Sequence, residues 1–228
     1  MSSKMKTTLK KFFKTAFLIG VLLFQLSLLL VIVYRIVPVP VTPLMIVRDA
    51  PINYQWTSLK NVNPIFCHAI MVAEDPNFLD HYGFEIDQIK KVIEEKRKGK
   101  KLRGASTVSQ QTAKNLFFTP TRSWVRKGLE TYVTVLIETL WNKRRIMEVY
   151  VNIIEMGDGI YGIKAASQKY YKKTPAKLTK AESTLLVSCF PNPRRWTPLK
   201  SDNYIRRKQS RYNKWLIGYN RIPKWWFK

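Results

Sequence analysis

Two adjacent carboxylates, Glu74 and Asp75, follow a segment, 65–73, that is apolar at every position except His68. A carboxylate at the end of a buried helix is costly unless it has a partner or a chemical task, so the pair is a candidate functional site. Acids at helix ends are common, and this pair alone does not decide between a structural and a functional role. The same segment continues with Phe78, His81 and Gly83.

A second group of polar residues, Ser106, Gln110 and Lys114, recurs at every fourth position. On a helix, this spacing places all three on one face. A hydroxyl, an amide and one cation suit the binding of sugar hydroxyls and a phosphate group. A solvent-exposed helix face would show the same stripe, and the residues alone leave both interpretations open.

Two further groups carry charge and hydrogen-bonding capacity. Arg126 and Glu130 are i, i+4 neighbours, the spacing of an ordinary helix ion pair worth about a few tenths of a kcal/mol. Glu148, Tyr150 and Asn152 alternate in a third polar group. By themselves these residues do not identify a reaction.

Two short motifs point to other functions and are rejected. Residues 157–162 match GxGxxG, but a dinucleotide site needs a preceding strand within a βαβ unit, and 146–156 continues a helical pattern. Residues 201–203 spell the SDN of penicillin-binding transpeptidases, but KTG is absent and the only SxxK is Ser3 to Lys6, before the apolar N-terminal segment. The sequence therefore predicts neither a dinucleotide site nor a transpeptidase.

Taken in order, these groups resemble the motifs of the family 51 peptidoglycan glycosyltransferases, specifically the monofunctional, membrane-anchored type. The resemblance covers about residues 60–190 and implies a lysozyme-like, mainly α fold. The matching residues are Glu74, Asp75, Phe78, His81 and Gly83; Gly104, Ser106, Thr107, Gln110, Gln111, Lys114 and Asn115; Arg126, Lys127 and Glu130; and Glu148, Tyr150 and Asn152.

The resemblance also implies a reaction. A growing glycan chain on undecaprenyl pyrophosphate is the donor, and the GlcNAc 4-hydroxyl of lipid II is the acceptor. Transfer inverts the anomeric carbon and gives a β-1,4 bond. A sugar hydroxyl is a poor nucleophile, so a carboxylate must accept its proton, and the resemblance gives this role to Glu74. Cations must stabilise the departing pyrophosphate.

The other site residues take their roles from the same resemblance. Lys114 and Arg122 match the pyrophosphate contacts of the family, and Arg126 and Lys127 add charge beside them. Glu130 matches a second essential carboxylate that orients the pyrophosphate or holds a divalent ion, Mg²⁺ or Mn²⁺. Ser106 and Gln110 are expected to contact the sugar or phosphate groups of the donor.

Two other functions compete with this interpretation. A lytic transglycosylase or lysozyme would share the fold and use an acidic residue, but it has no need of Lys114, Arg122 and Arg126 beside the carboxylates. A non-catalytic scaffold of the cell-wall machinery would be expected to carry degraded motifs, whereas both acids and both cations are intact here. We expect lipid II, the growing glycan, membrane lipids and other cell-wall synthesis or division proteins as partners.

The N-terminal sequence predicts where this chemistry takes place. Residues 16–37 are long and apolar enough to span a bilayer, and the five lysines of the 1–15 tail predict a cytoplasmic N-terminus. No small-x-small cleavage site follows, so an uncleaved anchor is favoured over a signal peptide. Most of the chain's net charge of +25 then faces the extracytoplasmic side, the periplasm in a Gram-negative cell, where nucleic acid is not expected as a partner.

The remaining chain predicts one mainly α domain without a strand-rich region. A proline-rich linker, 38–50, leads to a glycosyltransferase domain, 51–200. Asn63 and Pro64 predict a helix start, with the helix running through Val72. Capping-box patterns at Thr107 and Thr179 predict two more starts. Further helical patterns cover Ile86 to Ile93, 122–142 and 146–152.

Two features of the composition stay open. Cys67 and Cys189 each lie in an apolar stretch, where two lone cysteines are more often buried hydrophobic residues than a disulfide. The C-terminal segment, 201–228, is basic and contains Trp225 and Trp226. This composition fits contact with lipid headgroups, and equally a solvated basic helix with ordinary packed aromatic residues.

Overall fold

The structure is a computed structural model and describes residues 3–99, 106–121 and 123–228. The chain divides into two compact units, the first ending at Val37 and the second spanning Pro38–Lys228. Helix α1, Ser3–Tyr34, forms the first unit. Its portion Lys10–Tyr34 is long and apolar enough to cross a membrane, and an 18-residue window within it has a mean hydropathy of 2.8. This helix fits the predicted anchor, although it begins before residue 16.

The second unit is mainly helical, as predicted. Its helices are α2 (Pro43–Val47), α3 (Pro64–Glu74), α4 (Ile86–Arg97), α5 (Val108–Phe117), α6 (Trp124–Leu140), α7 (Lys143–Ile153), α8 (Gly162–Tyr171), α9 (Lys180–Ser188) and α10 (Asn203–Trp215). Its strands are β1 (Asn53–Tyr54), β2 (Glu155–Gly157) and β3 (Ile160–Tyr161). Short 3₁₀ turns lie at Leu59–Asn61, Pro175–Lys177, Pro198–Lys200 and Lys224–Phe227.

Local capping residues start the predicted helices. The Asn63 side chain accepts a hydrogen bond from the Ile65 amide at the start of α3. Thr107 and Thr179 each form a complete capping box, with Gln110 and Glu182 as partners. These three predicted starts are confirmed. Helix α3 continues beyond the predicted Val72, which places Glu74 in its last turn.

The small sheet was not predicted. Its strand order is β1-β3-β2, with β1 parallel to β3 and β2 antiparallel to β3. Residues 157–162 form the turn and second strand of this hairpin and then start α8. Gly159 has a positive φ of 68°, and a Cβ there would lie 2.5 Å from the Pro51 carbonyl oxygen. The glycines therefore shape a hairpin, and the rejection of the dinucleotide site agrees with this topology.

The core of the second unit is built around α3 and α7. Residues 66–72 of α3 and every residue of α7 from Arg145 to Ile153 are buried. Helix α5 packs against both α6 and α7, and α3 packs against α9. Hydrogen bonds from Val108 and Gln111 then join the start of α5 to Asp75 and Glu74 at the end of α3.

The C-terminal segment belongs to the same unit, so the predicted boundary at residue 200 is not a structural boundary. Helix α10 packs on α9, and Trp226 is only 3% exposed. The Arg144 Nε donates a hydrogen bond of 2.8 Å to the Trp226 carbonyl. Trp226 is therefore an ordinary packed aromatic residue, and the prediction that it contacts lipid headgroups is wrong. Trp225, 59% exposed, remains available to a lipid surface.

Cys67 and Cys189 are both free and buried, as the sequence favoured. Burial raises the pKa of the Cys67 thiol far above its usual range and that of Cys189 to about 12. Both residues therefore behave as small hydrophobic side chains.

Candidate active site

A hydrogen-bonded chain of three side chains ends at Glu74. Gln111 Nε2 donates to Glu74 Oε2 at 2.9 Å, and the Tyr150 hydroxyl donates to Gln111 Oε1 at 3.1 Å. Burial, with the charges of Glu74 and Asp75, raises the pKa of Tyr150 well above its usual value, so the hydroxyl remains a donor. Because the amide oxygen of Gln111 accepts from Tyr150, its NH₂ group faces the Glu74 carboxylate. This arrangement suits a carboxylate that acts as an acceptor.

Asp75 has a structural environment. Its two carboxylate oxygens accept hydrogen bonds from the Val108 amide and from His81 Nε2, each at 2.9 Å. The Gly83 amide donates to His81 Nδ1 at 3.1 Å, which assigns the ring proton to Nε2. The Thr107 hydroxyl donates to the Gly83 carbonyl at 2.7 Å. Asp75 thus fixes the start of α5 against the end of α3 and positions Gln111 opposite Glu74.

Lys114 lies one turn beyond Gln111 on α5, at the wall of a cavity of about 340 Å³. Partial desolvation and the nearby Arg126 lower the pKa of Lys114, while Glu74 acts in the opposite direction. The side chain as a whole is nevertheless exposed, so we infer that it stays protonated at neutral pH. The cavity therefore presents a cation close to the carboxylate.

Glu130 is buried and carries two cationic partners. Arg126 Nη1 donates to Glu130 Oε1, and Lys127 Nζ lies 3.4 Å from Glu130 Oε2. Desolvation, Arg126 and Lys114 each lower the pKa of Lys127, which indicates mutual repulsion among these cations. The ordinary ion pair expected from the sequence is therefore present. It belongs to a cluster in which positive charge exceeds negative charge, as an anion site requires.

Two residues of the predicted polar stripe, Ser106 and Gln110, differ from the prediction. Ser106 precedes the N-cap Thr107 and is not on α5, so the predicted helical stripe is wrong at this residue. The Gln110 amide oxygen accepts a hydrogen bond of 3.1 Å from the Thr107 amide, and the side chain is buried. Gln110 therefore caps the helix. Ser106 is exposed, and contact of either residue with a substrate stays a prediction.

Other motif residues hold the scaffold. The Glu148 carboxylate accepts from the Leu59 amide at 2.9 Å, and the Asn152 side-chain amide both donates to and accepts from the Thr57 backbone. Phe78 and Asn115 are buried, and Asn115 lines the cavity. Gly83 has φ +84°, and a Cβ there would lie 2.7 Å from Thr134 Cγ2. Gly104 and Arg122 lie outside the described residues, so their predicted roles stay predictions.

The described residues do not fit a resident divalent ion. Such an ion needs several free oxygen ligands, whereas Glu130 is already engaged by two cations. Ligand atoms of Asp75, His81 and Glu85 lie within 4.8 Å of one another. Each Asp75 oxygen already accepts a hydrogen bond, both His81 ring nitrogens are engaged, and Glu85 accepts from Asn77 Nδ2 at 2.7 Å. The Mg²⁺ or Mn²⁺ ion stays a prediction.

Sequence reasoning missed two residues that line the same cavity, Arg48 and Glu155. Arg48 Nη2 donates to Glu155 Oε2 at 3.0 Å. The sequence did offer one indication of Glu155, because it is the single acid within the otherwise apolar residues 153–156. Its partner could not be identified from sequence, because 107 positions separate the two residues.

Comparison with known proteins gives consistent matches. The family model described as Transglycosylase matches residues 43–216. Proteins named "Biosynthetic peptidoglycan transglycosylase" are 45% identical in Bdellovibrio bacteriovorus over 90% of this chain and 84% of the relative, and 46% identical in Caulobacter vibrioides over 81% and 82%. A relative of the same name in Bacteroides thetaiotaomicron is 42% identical over 95% of this chain and 90% of its own. The similarity therefore extends into the C-terminal segment.

Proposed function

Because this chain belongs to the transglycosylase family, we propose that it is a monofunctional peptidoglycan glycosyltransferase with a lysozyme-like domain, and that lipid II is its substrate. One observation carries the proposal. Glu74, held by Gln111, lies close to Lys114, and the cavity wall adds Arg126 as a second cation. Transfer from a pyrophosphate to a hydroxyl requires both a base and cations at the leaving group.

In the proposed mechanism, the acceptor 4-hydroxyl attacks the anomeric carbon of the donor while its proton passes to Glu74. The bond from that carbon to the pyrophosphate oxygen breaks as the β-1,4 bond forms. Lys114 and Arg126 stabilise the charge that develops on the departing undecaprenyl pyrophosphate, and Arg122 is expected to join them. Attack opposite the leaving group inverts the anomeric carbon.

The cationic cluster favours polymerisation over cleavage of preformed glycan. A lytic enzyme uses its carboxylic acid as a proton donor to the glycosidic oxygen and releases no anionic group. Here Gln111 donates to the carboxylate, as suits a base, and three cations surround Glu130 and the cavity. A non-catalytic scaffold would not require this network.

The proposed location is the cytoplasmic membrane, with α1 as a single-pass anchor. Following the positive-inside rule, the N-terminus is cytoplasmic and Pro38–Lys228 lies outside. The lipid tail of the substrate stays in the bilayer, so an anchored enzyme meets it at the interface. The growing glycan and membrane lipids are the remaining proposed partners. Interaction with other cell-wall synthesis or division proteins stays a prediction.

The test uses the full chain in detergent with labelled lipid II and product sizes resolved on a gel. We expect long glycans that lysozyme digests. Glu74→Gln keeps size and hydrogen bonding but cannot accept the proton, so turnover should fall at least ~10²-fold. Glu94→Gln, the same change at an exposed residue of α4, is the matched control. Digestion of preformed glycan without any polymer from lipid II, or normal polymerisation by Glu74→Gln, would contradict the proposal.

A further inference from the structure

Three buried polar atoms without a hydrogen-bond partner lie on adjoining residues. They are Arg48 Nε, Glu155 Oε1 and the Tyr161 hydroxyl, three of the five such side-chain atoms among the described residues. Buried polar groups are nearly always hydrogen-bonded in native proteins, and each exception requires an explanation. Because three such atoms lie on neighbouring side chains, we expect a bound molecule to supply their missing hydrogen bonds.

The backbone brings these groups together. Glu155 on β2 and Tyr161 on β3 are direct cross-strand partners, so their side chains share one face of the sheet. Arg48, which directly follows α2, reaches Glu155 through its Nη2. Burial raises the pKa of Glu155, and the charge and hydrogen bond of Arg48 oppose that effect. Arg48 and Glu155 thus form an ion pair that is incompletely hydrogen-bonded.

The pair lines the same cavity as Gln111, the residue that binds Glu74. Arg48 and Glu155 line it together with Lys114 and Arg126. The Arg48 side chain keeps 26% of its surface exposed, although its Nε atom is buried, so a contact with a ligand requires this side chain to turn its Nε–H toward the cavity. Apolar side chains complete this part of the wall, namely Leu44, Ile154 and Phe190.

The chemistry of the pair selects a class of ligand. One donor, Arg48 Nε–H, and one acceptor, Glu155 Oε1, have no partner among the described residues, and their side chains are joined by the Nη2–Oε2 hydrogen bond. A secondary amide offers the complementary C=O and N–H groups, whereas a carboxylate or phosphate would place its charge against Glu155. An amide next to a methyl group would also match the apolar wall.

We propose that Arg48 and Glu155 form a subsite that binds a secondary amide of the glycan donor. The amide carbonyl accepts from Arg48 Nε–H, and the amide N–H donates to Glu155 Oε1. Two parts of the donor carry such an amide, the N-acetyl group of a sugar and the stem peptide. This inference rests on the proposed function, since it takes the ligand to be a peptidoglycan precursor.

The test compares three lipid-linked disaccharides as substrates of the full chain in detergent. The first carries the acetamido groups and the stem peptide, the second has neutral hydroxyls in place of the acetamido groups, and the third lacks the peptide. The measured quantity is the ratio of kcat/KM between the complete substrate and each analogue. Any discrimination by the acceptor site is common to all variants and cancels when their ratios are compared.

Glu155→Gln is the decisive variant. It keeps volume and the contact with Arg48, but it puts an NH₂ donor in place of the free acceptor. We expect one of the two ratios to fall by roughly tenfold or more, because a site built to hydrogen-bond a substrate group loses its discrimination when that bond is removed. A fall in the acetamido ratio identifies the N-acetyl group, and a fall in the peptide ratio identifies the stem peptide.

Asp158→Asn is the matched control, because it makes the same carboxylate-to-amide change in the β2–β3 turn, where Asp158 pairs with Arg194 at an exposed site. Neither ratio should change in this variant. If Glu155→Gln polymerises with both ratios unchanged and melts like the wild type, the subsite does not exist.

Binding of an N-acetylated tetrasaccharide and of a stem peptide to the wild type and to Glu155→Gln, followed by NMR, needs no turnover. If the wild type fails to polymerise, the proposed function fails, and these titrations still test the subsite. Equal affinity of both proteins for each probe would overturn it.

Discussion

Tyr150 provides the sharpest test of how the base is held. The residue is fully buried, and its hydroxyl reaches Glu74 only through Gln111. Tyr150→Phe removes that hydroxyl and keeps the ring, so packing is preserved. Gln111→Ala removes the direct hydrogen bond to the carboxylate. If Tyr150 acts by orienting the Gln111 amide, these two changes must depend on each other.

The magnitudes follow from the types of bond lost. The Tyr150–Gln111 bond joins neutral groups and contributes about 1 kcal/mol, whereas the bond from Gln111 to an ionised carboxylate contributes about 1.5–3 kcal/mol. At about 1.4 kcal/mol per tenfold change, Tyr150→Phe should lower kcat roughly 5-fold and Gln111→Ala roughly 10- to 150-fold. The double variant should resemble Gln111→Ala alone, because Tyr150 then has nothing left to orient. The expected coupling is about 1 kcal/mol.

The assay measures initial rates of polymerisation and the melting temperature for the wild type, both single variants and the double variant. A positioning role predicts that kcat falls more than KM changes. Tyr171→Phe, which removes a hydroxyl donating at 3.1 Å to the Glu182 carbonyl, is the control for loss of a hydrogen bond away from Glu74. Additive effects of Tyr150→Phe and Gln111→Ala would refute the reasoning, as would an equal loss of kcat in Tyr171→Phe.

Two further predictions concern charge and packing. Partial desolvation and Arg126 lower the pKa of Lys114, so the kcat/KM of the wild type should decline at a pH below about 10.4, where an ordinary lysine loses its proton. Lys114→Arg should move this decline to higher pH. If the decline does not move, another group titrates. Trp226→Ala should lower the free energy of unfolding by about 3–5 kcal/mol, because this side chain is buried. Trp225→Ala, at an exposed residue, should change it by no more than about 0.5 kcal/mol. Equal unfolding free energies of the two variants in a denaturant titration would contradict the packing of the C-terminus.

The features that sequence predicted correctly are those that depend on a few neighbouring residues. The capping boxes at Thr107 and Thr179 each involve a partner three residues away, so the pattern itself contains the interaction. Glu74 lies at the end of an apolar helix, as the sequence indicated, while its role as the base stays a prediction. Ser106 was misplaced because its spacing fits a helix, whereas the Thr107 cap starts that helix after it.

The features that sequence missed depend on contacts between distant segments. The Arg48–Glu155 pair and the contact of Arg144 with Trp226 join residues 107 and 82 positions apart. Nothing in the local composition distinguishes the buried Trp226 from its exposed neighbour Trp225. Strand β1 is only two residues long and pairs with β3, more than a hundred positions later, which leaves no local periodicity to detect.

Contacts between side chains also distinguish the two candidate acids, Glu130 and Glu74. Glu130 contacts Arg126 and Lys127, and taking up a proton there would break two ion pairs in a buried setting. Glu74 receives a hydrogen bond from a neutral amide on one oxygen, and among the described residues no side chain donates to its other oxygen, which we expect to receive the substrate hydroxyl. The partner of Glu74 thus leaves it free to accept a proton, while the partners of Glu130 commit it to holding cations in place. The proposed division of labour between the two acids therefore rests on the contacts that each one makes.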